Sequence, residues 1–174
     1  RMGKDDHSFC KYVVHKRIET IPHMVDLNIF GIFGKYEDWE IRFISNAVCK
    51  ALFGLPITLR QNRRFSYLYV DDLMPVLDYF IEHDAHYSSY NVTPNEETEL
   101  LEAARCVQKI SGKDLAIHVA APGYGLNYSG SNERLKAEIP GLKFTPLPQA
   151  VTQLYAYYAA EKENINFQLL LQDK

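Results

Sequence analysis

No apolar run in this chain approaches the ~18 residues that a membrane-spanning helix needs, and the polar, basic opening RMGKDDH is no signal peptide. A membrane partner is not expected, and the cytoplasm is the expected location. Cysteine is scarce: Cys10, Cys49 and Cys106 are far apart, never in Cys-x-x-Cys spacing, and each sits among apolar residues. That pattern predicts buried thiols in a reducing compartment rather than a disulfide framework. The six histidines form no His-x-x-x-His pair and no Cys/His cluster, so no metal is expected. Positive charge is not in excess either. With 19 Lys and Arg against 22 Asp and Glu the net charge is −3, which argues against a general nucleic-acid or acidic-membrane binder and confines any anion site to a local patch. A dinucleotide turn is missing as well: in PGYGLNYSGSN the glycines Gly123, Gly125 and Gly130 do not give G-x-G-x-x-G spacing, and the stretch reads as a flexible loop. Internal repeats and low-complexity segments are absent.

What is present suffices for one domain. The 174 residues, 47% of them hydrophobic, can bury roughly 70% of the unfolded chain's surface. Residues 6–20 read as a helix with Cys10, Val14, Ile18 and Ile21 along one stripe, ended by Pro22. MVDLNIF reads as a strand, residues 40–53 as a helix stopping at Gly54, and PITLR and RFSYLYV as two strands around the turn-like Gln61-Asn62. A helix follows Asp71-Asp72, with Pro75 tolerated in its first turns. SSYNV is a short strand, and Thr98 with Glu99 and Glu102 marks the start of a helix that ends at Ser111-Gly112. DLAIHVA is a further strand, before a short helix near 132–138 and a tyrosine-rich helix from about 148; INFQLLLQDK carries no clear pattern. Strands alternating with helices predict a mixed α/β (α+β) architecture.

Two stretches carry potential chemistry. DDHSFCKYVVHK contains Tyr12-Val13-Val14-His15-Lys16, a Tyr-x-x-x-Lys, and also His7-Ser8-Phe9-Cys10-Lys11, the same spacing with histidine in the tyrosine place. At about 100° per residue, Lys11 falls close to the apolar stripe, whereas Tyr12 and Lys16 fall on the opposite face. A catalytic pair needs a cleft wall, so His7 with Lys11 is the preferred pair and Tyr12 with Lys16 the alternative; ordinary surface roles for all four remain open. The second stretch, RQNRR, reads as a solvated turn or as a phosphate clamp beside Phe65, Tyr67 and Tyr69.

Several stretches in order resemble the second half of an extended short-chain dehydrogenase/reductase, the NAD-dependent epimerase/dehydratase family. HSFCKYVVHK resembles its Tyr-Gly-x-Ser-Lys helix, LNIFGIFG its Leu-Arg-x-x-Asn-x-Tyr-Gly strand and loop, and YLYVDDL its Tyr-Val-Asp-Asp step. YNVTPNEETELLEAARCVQKISGK resembles the Asn-Val-Gly segment with its helix, and GLNYSGSNERL with FTPLPQAVTQLYAYY the closing region. The resemblance spans roughly residues 5–160 and implies that residues 1–174 are the C-terminal, substrate-binding portion of a larger Rossmann-type protein, whose N-terminal half binds NAD or NADP. The chain alone is then expected to bind neither cofactor and to transfer no hydride. The implied substrate is a nucleotide sugar, handled by epimerisation, dehydration or reduction, with a homodimer among the assemblies allowed. The implied site residues are His7 and Lys11, with Asn28, Asn46, Arg63, Arg64 and Tyr67 as binders. His7 stands where the family has its catalytic tyrosine, Cys10 where serine is usual, Asn28 in place of an arginine, and Phe65 where the phosphate arginine would be, just after Arg63 and Arg64. These departures keep a second reading open: a non-catalytic ligand-binding or regulatory protein on the same fold. A nucleic-acid module using RQNRR is disfavoured by the net charge.

Overall fold

The computed structural model describes residues 5–172; the side chain of His7 lies outside what it describes. The chain opens with α1 (Asp6–Ile18), β1 (Asp26–Ile29), β2 (Gly31–Phe33) and α2 (Phe43–Leu52), and continues with β3 (Ile57–Asn62), β4 (Arg64–Phe65) and β5 (Tyr67–Tyr69). A 3-10 turn (Val70–Leu73) leads into α3 (Met74–Glu82), followed by β6 (Ser89–Val92), β7 (Thr98–Glu99), α4 (Leu100–Ser111) and β8 (Ile117–Tyr124). The chain closes with α5 (Glu133–Glu138), α6 (Leu147–Ala160), a 3-10 turn (Lys162–Asn164) and α7 (Phe167–Leu170). The unassigned INFQLLLQDK thus contributes a short helix, anchored by buried Leu170.

The strands pair two by two: β1 with β6, β2 with β5 and β3 with β8 are parallel, and β4 with β7 is antiparallel. Parallel partners must be joined by a crossover, and helices fill the intervals. α2 lies between β2 and β5, and α3 and α4 lie between β3 and β8. α2 is a helix on pattern alone: Ile44, Ala47, Val48, Ala51 and Leu52 recur at i, i+3, i+4, i+7 and i+8, and all are buried. They pack with Ala104 and Val107 of α4, Val151 and Leu154 of α6, and Ile57 and Leu59 of β3 into the larger core. A second core joins Leu68, Val76, Tyr90, Val92 and Leu135.

Three expectations need correction. The first is the turn expected at Gln61-Asn62. β3 runs straight through both residues in parallel with β8, with a register shift between them. Asn62 is buried because its side chain has another task. Its Oδ1 accepts from the Leu101 amide at 3.1 Å and its Nδ2 donates to Glu99 Oε2 at 2.9 Å, which ties β3 to the start of α4. The second is partial: the Thr98, Glu99 and Glu102 signal does mark the start of α4, where Glu99 is the cap and forms a reciprocal capping box with the Glu102 side chain, and only Thr98 falls outside it, in β7. Gly112 closes α4 in the left-handed conformation at φ 65°, as expected.

The third correction is the burial of the α1 stripe. Cys10 is exposed and Val14 is 58% exposed, so only Cys49 among the three thiols is fully buried, Cys106 being half-buried. The side of α1 that meets the rest of the chain carries Ser8, Tyr12, His15 and Ile18, all half-buried, and His15 Nδ1 lies 2.6 Å from Asp26 Oδ2 on β1. An apolar stripe predicts burial only if a neighbouring element covers it. Phe9, Val13 and Val14 are exposed in the described residues.

The Gly-rich stretch also departs from a free loop. Its first residues complete β8, and the Gly125 amide donates to Asn62 O, Ser66 N to Tyr128 O, and Tyr128 N to Arg64 O. A Cβ at Gly130 would come within 2.4 Å of the Phe30 ring, which explains glycine there by close packing.

Candidate functional site

A cleft of about 210 Å³ opens where α2 faces β3 and the segment after it. From α2 come Phe43, Asn46 and Lys50, which share one helix face at i, i+3 and i+7. From β3 come Thr58 and Arg60, alternate residues of one strand face, and beyond it stand Arg63 and Phe65. Lys50 is 3% exposed, and its ammonium donates to Thr58 Oγ1 at 2.7 Å. The Asn46 amide donates to the carbonyls of Trp39 and Glu40 at 3.1 and 3.3 Å, which fixes the side chain in the cleft wall. Arg63 Nε is buried with no hydrogen-bond partner. A buried donor without an acceptor costs roughly 1–3 kcal/mol, so this Nε–H is a donor open to an acceptor. Three cations, Lys50, Arg60 and Arg63, therefore face one cleft in a chain of net charge −3. Glu40 shares the lining.

Of the binders expected from sequence, Asn46 and Arg63 meet in this cleft, and Arg64, Asn28 and Tyr67 do not line it. Arg64 turns away, 56% exposed, with its Nε 3.8 Å from Glu99 Oε1. Glu99 is held below the usual carboxylate range, by the Asn62 hydrogen bond first and then by Tyr124, Arg64 and Arg105 against partial burial. Asn28 lies on β1 in register with Asn91 of β6. Tyr67 stands behind the cleft, its ring stacked on Phe65 at 4.7 Å. Burial pushes its hydroxyl well up, reinforced by Glu37 and opposed by Arg63. Sequence reasoning missed Lys50: it shares a helix face with Asn46, but its place in the cleft depends on α2 facing β3.

The α1 candidates are set apart from this cleft. Lys11 is exposed; Tyr12 is half-buried, and Lys16 is exposed with its ammonium on Glu19 at 2.7 Å. That bond raises the Lys16 pKa and lowers that of Glu19. Tyr12, placed by helical projection on the face away from the protein, is thus on the inward side, for the reason given for the stripe. His7 cannot be compared, since its side chain lies outside the described residues.

Among the described residues, the Gly-rich stretch from Pro122 to Asn132 does not fit a dinucleotide cradle. A Cβ at Gly125 would meet Gln61 Oε1 at 3.2 Å and one at Gly130 the Phe30 ring, so two of the three glycines serve internal packing rather than approach to a pyrophosphate. The helix after them, α5, is six residues long. Among the described residues no group of three His, Cys, Asp or Glu side chains is placed to hold a metal ion, and no helix is long and apolar enough to cross a membrane.

No family model and no curated protein sequence matches the chain. Solved structures do. A UDP-glucuronic acid 4-epimerase from Bacillus cereus, in complex with UDP-glucuronic acid and NAD, is similar at 17% identity and TM-score 0.73, over 88% of this chain and 51% of the other. A dTDP-glucose 4,6-dehydratase from Bacillus anthracis in complex with NAD is similar at 18% identity and TM-score 0.77, over 92% of this chain and 54% of the other. A UDP-glucose 4-epimerase from Thermotoga maritima with UDP-glucose is similar at 15% identity and TM-score 0.76, over 89% and 53%. At these identities the likeness is one of fold: a mixed α/β chain that spans about half the length of the nucleotide-sugar epimerases and dehydratases it matches.

Proposed function

We propose that this chain is the nucleotide-sugar-binding portion of an extended short-chain dehydrogenase/reductase-like protein, and that the cleft between α2 and β3 holds the phosphates. The observation that carries the reading is the buried, unpartnered Arg63 Nε beside Arg60 and Lys50. Guanidinium groups bind phosphate oxygens through paired, charge-assisted hydrogen bonds, and Phe65 offers a ring in the same lining. The solved structures of like fold with UDP-glucuronic acid and UDP-glucose bound support the choice of ligand. In the intact protein the reading assigns epimerisation, dehydration or reduction of a nucleotide sugar, with NAD or NADP held by residues other than those present here. His7 with Lys11, or alternatively Tyr12 with Lys16, is proposed for the proton transfer, Asn28, Arg64 and Tyr67 being secondary candidates for the substrate. A cytoplasmic location and a homodimer belong to the same proposal.

A second reading, a non-catalytic ligand-binding protein on this fold, is favoured by the histidine at position 7 and leaves the cleft's role unchanged. Calorimetry with UDP-glucose, UMP and uridine tests the binding claim. UDP-glucose should bind, UMP more weakly and uridine not at all. Equal binding of uridine and UDP-glucose, or no binding of either nucleotide, would remove the phosphate assignment.

A further inference from the structure

A second cleft, about 220 Å³, lies on another part of the chain, between the loop of residues 34–42 and the C-terminal end of α6. Its walls are aromatic and its charges negative: Tyr36, Trp39, Tyr157 and Tyr158 line it together with Glu37 and Glu161. The rings are arranged in edge contacts, Tyr36 on Tyr157 at 5.6 Å and Tyr157 on Tyr158 at 5.2 Å. Tyr36 is 88% exposed and sits at φ 68°, a left-handed conformation uncommon for a residue with a side chain. Its ring therefore stands in solvent at the mouth rather than in a core.

Two buried polar atoms in this lining have no partner. Glu37 Oε1 is one, and the hydroxyl of Tyr158, a residue only 4% exposed, is the other. Both can accept hydrogen bonds, the carboxylate being an acceptor only. Ser45 Oγ of α2, buried and likewise without a well-formed bond, lies beside both groups and lowers the pKa of each, so its single hydroxyl donor serves two neighbours and leaves Glu37 Oε1 open. Unfilled acceptors call for a donor, whereas ring faces flanked by two carboxylates call for positive charge. A quaternary ammonium would satisfy only the second demand and water only the first. An ammonium or guanidinium group satisfies both.

We propose that this cleft is a binding site for an organic cation bearing N–H donors, a primary ammonium or a guanidinium, boxed by Tyr36, Trp39, Tyr157 and Tyr158 and neutralised by Glu37 and Glu161. Of the nearby cations, Lys162 lies over the Phe53 ring at 4.9 Å, and Arg42 lowers the Glu37 pKa by its charge with no hydrogen bond between them. The cation comes either as a free small amine or as a lysine or arginine side chain. The chemistry is the same.

Trp39 is the chain's single tryptophan and lines the cleft, so its emission reports occupancy directly. The protein at pH 8 and constant ionic strength is titrated with methylguanidinium chloride, with N-acetyl-arginine methylamide, and with N-methylurea as the neutral isostere. The two cations should give a saturable change in emission at millimolar concentration and N-methylurea none. Tighter binding of the arginine derivative identifies a side chain as the source, and tighter binding of methylguanidinium a free amine. Glu37→Gln should weaken binding about tenfold, a cation–π and charge loss of the expected order, and Tyr36→Ala, which removes a solvent-exposed ring and leaves the fold intact, about threefold. A non-saturable response, an equal response to N-methylurea, or unchanged affinity in both variants would overturn the proposal.

Discussion

Glu37 offers a direct test of whether a buried carboxyl governs stability. Burial raises its pKa from 4.5 to about 7, against the lowering influence of Ser45 and Arg42. Between those two values the native state keeps a proton that the unfolded chain has released, so stability falls as pH rises from about 4.5 to about 7 and is level above that. At about 1.4 kcal/mol per pH unit the interval sets a ceiling of about 3 kcal/mol, and solvent screening of a half-buried side chain brings the expected loss to about 1–2 kcal/mol. The Glu37→Gln variant carries no titrating group at this position. Urea denaturation at pH 5, 6, 7 and 8, followed by circular dichroism, should show the wild type losing about 1–2 kcal/mol relative to the variant across that range, equivalent to roughly 2–8 °C in Tm for a chain of this size. A difference between the two proteins that stays flat from pH 5 to pH 8 would refute the reasoning. Saturating methylguanidinium should abolish the wild type's fall, because a bound cation stabilises the ionised carboxylate.

Arg63→Ala should weaken UDP-glucose binding by at least tenfold, about 1.5–3 kcal/mol for a charged hydrogen bond, while Arg64→Ala changes it less than about twofold; calorimetry separates them. Asn62→Ala should cost about 2–3 kcal/mol in urea denaturation by orphaning the Leu101 amide and loosening Glu99, and a cost under about 0.5 kcal/mol would return Asn62 to a turn residue. In an intact protein with turnover, His7→Ala should abolish activity and Tyr12→Phe should spare it; the reverse pattern moves the acid/base role to Tyr12.

What could be read from sequence follows physical locality. α2 was legible because its stripe has both the 3.6 period and neighbours that bury it, and Gly112 because a left-handed C-cap is a local requirement. Asn62 was not, because polar residues favour turns locally, and only its contacts with Glu99 and Leu101, 37 and 39 positions away, make it a strand residue. The α1 stripe was misjudged in the opposite way: the period was there and the cover was not. In the cleft between α2 and β3, Arg63 was legible as a cation in a suggestive run, whereas Lys50 required knowing that α2 and β3 face each other. Glu37 gave no signal at all, since a carboxylate in GKYEDWE looks solvated until α6 closes over it.

The parallel pairing of β3 with β8 has a consequence for how the chain must be made. Gln61 and its partner carbonyl at Pro122 are 61 positions apart, with two helices emerging between them. Synthesis at roughly 5–20 residues per second leaves β3 without its partner for several seconds, an unpaired edge whose free backbone groups are able to pair with any other strand it meets. Contacts this distant in sequence also slow folding, because the intervening loop must close before any bond rewards it. Truncation before residue 117 should therefore yield aggregates rather than a smaller folded protein, and yield in expression should depend on holding nascent chains apart until β8 has left the ribosome.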